Sequence, residues 1–162
     1  MNKDSYYLDV ALTVSERSSC LKKHYGAVIV KDDFILSTGY NGTPAGEKHC
    51  ETCTKVDSNK DMQEYATCPA IHAEMNSVLI AAKKDMIGST LYLACFDPEA
   101  NEERVAPKPC EICLRLIKNA GIRKVITRAG VIYARDRQGL LRDINELAET
   151  DLMYYINAKL GD

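Results

Sequence analysis

Apolar runs with strand character alternate along this chain with segments of helical period. That alternation predicts an α/β fold, with a mixed or partly parallel sheet covered by helices on both faces. Three observations carry the prediction. Ala27-Val28-Ile29-Val30 is continuously apolar, as a strand buried on both faces requires. Ile71, Met75, Val78, Leu79 and Ala82 recur at helical spacing, and so do Cys113, Leu116, Ile117 and Ala120. A further strand-like run, residues 90–95, lies between those two helical segments.

The elements follow in order. Residues 3–19 read as a helix with Leu8, Ala11, Leu12 and Ser15 on one side. Residues 25–31 read as the first strand. Lys31-Asp32-Asp33 then turns the chain into a second strand, residues 34–40. A long polar loop, residues 41–70, comes next and holds Cys50, Cys53 and Cys68. Loops of that length inside a compact domain are usually functional. A helix is expected over 71–84, a third strand over 90–95, and a charged loop over 97–108. The second periodic helix starts near Pro109, which suits a helix start, and stops at Gly121. Strands over 122–128 and 131–135 and a helix over 143–159 complete the reading. No repeat or interdomain linker divides the chain, so a single domain over 1–162 is expected.

The chemistry-bearing residues stand at the starts of the two periodic helices. His72-Ala73-Glu74 is an H-x-E, and Pro109-Cys110-Glu111-Ile112-Cys113 is a P-C-x-x-C. Either piece alone means little, since C-x-x-C also serves redox and structural zinc sites. In this order they form the signature of zinc-dependent nucleobase deaminases. His72, Cys110 and Cys113 would supply three ligands and leave a fourth position open, the catalytic arrangement of Zn2+. A water held there ionises near pH 7. Glu74 needs no bond to the metal and is the candidate catalytic acid and base. Residues two apart diverge on a regular helix, so His72 and Glu74 converge only where a loop enters the helix. Cys110 and Cys113, three apart, share a face. A helix N-terminus also favours thiolate, the form that binds zinc.

The surrounding residues resemble the cytidine and deoxycytidylate deaminase superfamily, and most closely its deoxycytidylate (dCMP) deaminases. Residues 17–30, RSSCLKKHYGAVIV, are similar to that family's passage from first helix to first strand. Residues 37–46, STGYNGTPAG, match its G-Y-N-G-x-P-x-G loop, with His49-Cys50 following. Ala120-Gly121-Ile122-Arg123-Lys124-Val125 is similar to the entry into the fourth strand. The resemblance implies a three-layer α/β/α fold with a five-stranded mixed sheet. It implies hydrolysis of dCMP to dUMP and ammonia by attack of the zinc-activated water on C4 of cytosine. It also implies a homo-oligomer, often a hexamer, with dCTP and dTTP as effectors. Asn41, the Ala73 backbone and Tyr133 are the expected substrate contacts. Some members carry a second, structural zinc, for which Cys20, Cys50, Cys53 and Cys68 are the candidate ligands. Three departures stand out: Lys22 and Lys23 where arginine is usual, a longer segment before Pro109, and Tyr133 as the nearest aromatic residue near the end of the fourth strand.

Composition bounds the alternatives. The net charge of −2 and the lack of a strongly basic stretch argue against a partner held by a long phosphate backbone. A small nucleotide is the expected ligand, with no nucleic acid and no membrane. No apolar run reaches transmembrane length, and the N-terminus does not read as a signal peptide. With seven cysteines, this suggests metal binding in a reducing cytoplasm. Arg104, Lys108, Arg115, Arg128 and Arg135 are the cations from which a 5′-phosphate contact would come. Two rivals remain: another deaminase branch (free cytidine, guanine or tRNA adenosine), or a non-catalytic zinc module in which Glu74 only complements a helix start.

Overall fold

The computed structural model describes residues 1–53 and 67–152. Helices α1 (Lys3–Ser15), α2 (Ala73–Ile80), α3 (Lys83–Met86) and α4 (Glu111–Ala120) surround one sheet. Its strands are β1 (His24–Lys31), β2 (Phe34–Tyr40), β3 (Thr90–Asp97), β4 (Glu102–Arg104), β5 (Lys124–Thr127), β6 (Gly130–Arg135) and β7 (Leu141–Asp143). The order is β2-β1-β3-β5-β6-β7, with β4 paired to β3. Only β3 and β5 pair in parallel, so the sheet is mixed, as expected. Among the described residues it has seven strands and not the expected five. The two extra strands are three residues each and lie in charged segments, too short for alternation to mark them.

The layers follow from the alternation of side chains along the strands. Val28, Val30, Tyr92, Ala94 and Ile126 face α1 and pack on its Tyr7, Leu8 and Ala11. Ala27, Ile29, Leu91, Leu93 and Val125 face the other way, onto Ala73 of α2, Met86, and Ile117 and Ala120 of α4. β1 is buried on both faces, which is why its sequence reads as an unbroken apolar run. At the β1–β2 hairpin Asp32 and Asp33 adopt positive φ of 51° and 64°, the left-handed pair a tight hairpin needs. The Tyr7 hydroxyl donates to both the carbonyl and the carboxylate of Asp33 and ties the turn to α1.

Several boundaries differ from the sequence reading. α1 stops at Ser15, where the Ser15 hydroxyl bonds back to Leu12 O; further on, that of Ser18 accepts from Cys20 N. Such side chains compete with helical bonding. The helix expected over 71–84 breaks at Ala81, whose backbone is extended, and a separate α3 buries Met86. Of the helix expected over 143–159, Asp143 ends β7, residues 144–146 form a 3-10 turn and 149–152 are helical, and residues 153–159 lie outside the described residues. Among the described residues no helix is long and apolar enough to cross a membrane.

α2 reaches the sheet only because Gly39 has no side chain. A Cβ there would stand 2.4 Å from Ala73 O and 2.5 Å from Ser77 N, both backbone atoms of α2. Gly39→Ala is therefore expected to push α2 outward and destabilise the protein by roughly 1–3 kcal/mol, lowering the melting temperature by about 2–12 °C. Thermal unfolding of the variant beside the parent checks this.

Candidate metal centre

The chain topology gathers the site. β2 and β3 are both antiparallel to β1, hence parallel to each other. α2 follows β2, and α4 follows β3 after the β4 hairpin. Both helices therefore begin at the same end of the sheet, and they pack against one another. His72 is the N-cap of α2 and Cys110 that of α4. The second helix starts at Glu111, two residues later than Pro109 suggested, because the Cys110 sulfur caps it and accepts from Cys113 N at 3.4 Å.

Three ligand atoms converge. His72 Nδ1 lies 3.5 Å from Cys110 Sγ and 3.3 Å from Cys113 Sγ. All three atoms fall within 4.8 Å of one another, and no other such group occurs among the described residues. Zn–S bonds of about 2.3 Å and Zn–N bonds of about 2.0–2.1 Å at tetrahedral angles require N···S separations of about 3.5 Å. The residues present fit the ion. The thiols are unequal. Cys110 is held well below the usual thiol range, first by its hydrogen bond from Cys113 and then by His72. Cys113 is raised by the same bond and by burial.

Glu74 sits in the first turn of α2 and is buried. Its carboxyl is hydrogen-bonded to the Cys113 thiol, so it faces the cluster. Burial pushes its pKa above the usual carboxylate value, against the lowering effect of His72. A raised carboxyl holds a proton more readily than a free one, as a group that both takes and returns protons must.

The other sequence candidates divide. Asn41 is buried beside the start of β1, where its Oδ1 accepts from Tyr25 N at 2.8 Å and its Nδ2 donates to Lys23 O at 2.9 Å. Ala73, first residue of α2, is fully buried, backbone included. Asn76 donates to Tyr40 O and clamps α2 to the residues 40–44 loop. Tyr133 packs against the core on the α2–α4 side, where the charges of Asp143, Glu146 and Glu111 reach its phenol. Cys20, Cys50, Cys53 and Cys68 are not brought together as His72, Cys110 and Cys113 are: no three of their sulfurs fall within 4.8 Å of one another, and burial raises the Cys20 thiol. Tyr25 went unrecognised in the sequence. Its phenol is bonded to the Cys95 thiol, and the charges of Glu74 and Cys110 act on it. Only its position two residues before the buried run of β1 could have marked it.

Comparison with known proteins places these features in a family. The model of the cytidine and deoxycytidylate deaminase zinc-binding region matches residues 1–129. A deoxycytidylate deaminase of Mycobacterium phage D29 is 39% identical over 129 residues, covering 76% of this chain and 91% of that protein. A deoxycytidylate deaminase of Schizosaccharomyces pombe is 32% identical over 126 residues, 76% of this chain but 36% of the longer yeast protein. Among solved structures, the dCMP deaminase of cyanophage S-TIM5 in complex with dCMP and dUMP superposes with a TM-score of 0.55 at 29% identity, covering 78% of this chain and 82% of that one.

Removing one ligand leaves too few for a stable site. Cys113→Ser is expected to lose most of the metal at this centre, as measured by metal analysis after dialysis. The parent protein, stripped with a chelator, should melt at a lower temperature than the loaded form, since a metal bound only to the folded state stabilises it.

Proposed function

The chain belongs to the cytidine and deoxycytidylate deaminase family, and from that premise we propose that it is a zinc-dependent deoxycytidylate deaminase, converting dCMP and water to dUMP and ammonia. The observation that carries this reading is a buried carboxyl, Glu74, aimed at a cluster of three zinc ligands and not four. A closed structural site would use four. The relatives at 39% and 32% identity are named for the same reaction.

His72, Cys110 and Cys113 would hold a zinc ion, which would acidify a water placed to attack C4 of cytosine. Glu74 accepts the proton of that water as the new C4–O bond forms and passes it to N3, which receives the electron pair of the C4–N3 double bond. It then carries the hydroxyl proton to the exocyclic amine as the C4–N bond breaks, and ammonia leaves with C4 as a carbonyl. The raised carboxyl pKa suits both directions of transfer. The Ala73 backbone frames the ring, Asn41 contacts the sugar with the amide hydrogen it has left, and Tyr133, the nearest aromatic residue to the end of the fourth strand in the sequence, is the aromatic contact by resemblance.

The wider family properties belong to the same proposal. Leu79, Ile80 and Ile87 are exposed apolar residues along α2 and just past α3, which supports assembly of identical subunits, a hexamer by resemblance. Activation by dCTP and inhibition by dTTP follow from the family reading alone. All seven cysteines are free thiols, in keeping with the cytoplasm. A second, structural zinc on Cys20, Cys50, Cys53 and Cys68, fixing the loop joining β2 to α2, follows from the family reading, with four thiolates making the closed site such an ion takes.

Two measurements test these statements. Glu74→Gln should keep its zinc and lose about 10²–10⁴-fold or more in kcat on dCMP. A variant with full zinc and full rate would remove Glu74 from the mechanism. Metal analysis of the purified parent should give two zinc ions per chain, falling to one when Cys50 and Cys53 are both replaced by Ser. One ion per chain in the parent rules out the second site.

A further inference from the structure

The segment between β3 and α4 is a built hairpin with a charged hub. β4 pairs back on β3, with Asn101 at positive φ in the turn. Val105 O accepts from Ala129 N, and Glu103 is bonded to Arg128. Tyr25, Cys95 and Arg104 are paired abreast across β1, β3 and β4. Residues paired in this way project from the same face of a sheet. That face is the one bearing the metal centre, because Tyr25 packs with Ala73 and senses Glu74 and Cys110.

One further step along each strand lie Lys23 and Asp97, about 7 Å from Tyr25 and Cys95 for two residues of strand. Asp97 Oδ2 accepts from Arg104 Nη2 at 2.6 Å and Nε at 3.2 Å, and pairs with Lys23 Nζ at 3.1 Å. Its Oδ1 accepts from the backbone of Glu99 and Ala100. The Asp97 side chain is 4% exposed, whereas those of Arg104 and Lys23 are 50% and 37% exposed. One enclosed carboxylate therefore fixes two cations whose outer atoms stay open to solvent. Among the described residues Arg104 Nη1 meets Glu102 at 3.9 Å, longer than a hydrogen bond.

The other candidate cations are disposed differently. Arg128 is bonded to Asp9 of α1, on the opposite face, and to Glu103. Arg135 gives its donors to the carbonyls of Ile122, Gly139 and Lys118. Arg115 lines a separate groove with Lys118 and Arg142. Lys108 is exposed.

We propose that Arg104 of the β3–β4 hairpin, with Lys23 beside it, binds the 5′-phosphate of the substrate and makes the enzyme prefer a nucleotide to a nucleoside. This rests on the deoxycytidylate reading above. Asn41, bonded to the backbone at both Lys23 and Tyr25, then stands between the base end and the phosphate end of the cleft, where the sugar must lie. Arg104 suits the role because its planar fork matches phosphate, and Asp97 has already fixed its orientation.

The test compares kcat/KM for dCMP with kcat/KM for deoxycytidine in the parent, Arg104→Gln and Lys23→Gln, each with its zinc content measured. A parent that does not deaminate dCMP sinks the functional reading itself. Given an active parent, the dCMP-to-deoxycytidine ratio should fall about 10- to 100-fold in Arg104→Gln, chiefly through KM for dCMP, as loss of charged hydrogen bonds predicts. Arg104→Lys should restore part of it. A ratio that stays at the parental value, whether both activities persist or both fall together, overturns the proposal, because a purely structural residue affects both substrates alike. If Arg104→Gln does not fold, Lys23→Gln decides in the same way: the ratio must drop, or the proposal fails.

Discussion

The meeting of two helix starts is the constraint on which the rest depends. His72 caps one helix and Cys110 the other, and their ligand atoms stand 3.5 Å apart with Cys113 Sγ alongside. Metal ligands on separate helices need both helices fixed to within a fraction of an ångström. Strand direction provides the coarse alignment: β2 and β3 point the same way, so the helices that follow them start at the same end. Side-chain detail provides the fine alignment. Gly39 lets α2 press onto β2, and Asn76 bonds to Tyr40 O.

The same geometry sets the electrostatics. Two helix N-termini present their free N–H groups to one small volume, a setting that favours thiolate. Burial acts on Glu74 in the opposite sense and favours its neutral form. A metal-binding pair of thiols and a proton-carrying carboxyl thus coexist within a few residues, because one lies at the mouth of the helices and the other behind it in the core.

Much of this was legible in the sequence, and the reasons are specific. The unbroken apolar run of β1 declared a strand buried on both faces. The helix-start placement of His72 and Cys110 followed from spacing, since H-x-E converges nowhere else. Pairing was the hidden part. β4 and β7 are three residues each in charged segments, and a hydrogen-bonded ladder of that length leaves no periodic trace. The break at Ala81 was equally silent: no glycine or proline marks it, and it serves to bury Met86. Tyr25 joined the site only through its partner across the ladder, Cys95, seventy residues away in the chain. The hub at Asp97 is of the same kind, since its charges come from β1, β3 and β4.

The β3–β4 hairpin sits at a joint where added length costs the metal centre little. It is anchored to β3, to Arg128 and to Ala129 before the chain turns into Pro109 and Cys110. Residues inserted there extend the wall of the cleft while the ligands stay on their own helix. Such a joint separates two kinds of inheritance. The reactive centre is held by elements that tolerate almost no change, and the wall beside it is free to be rewritten. Substrate range in this scaffold is thus able to drift without the chemistry drifting with it.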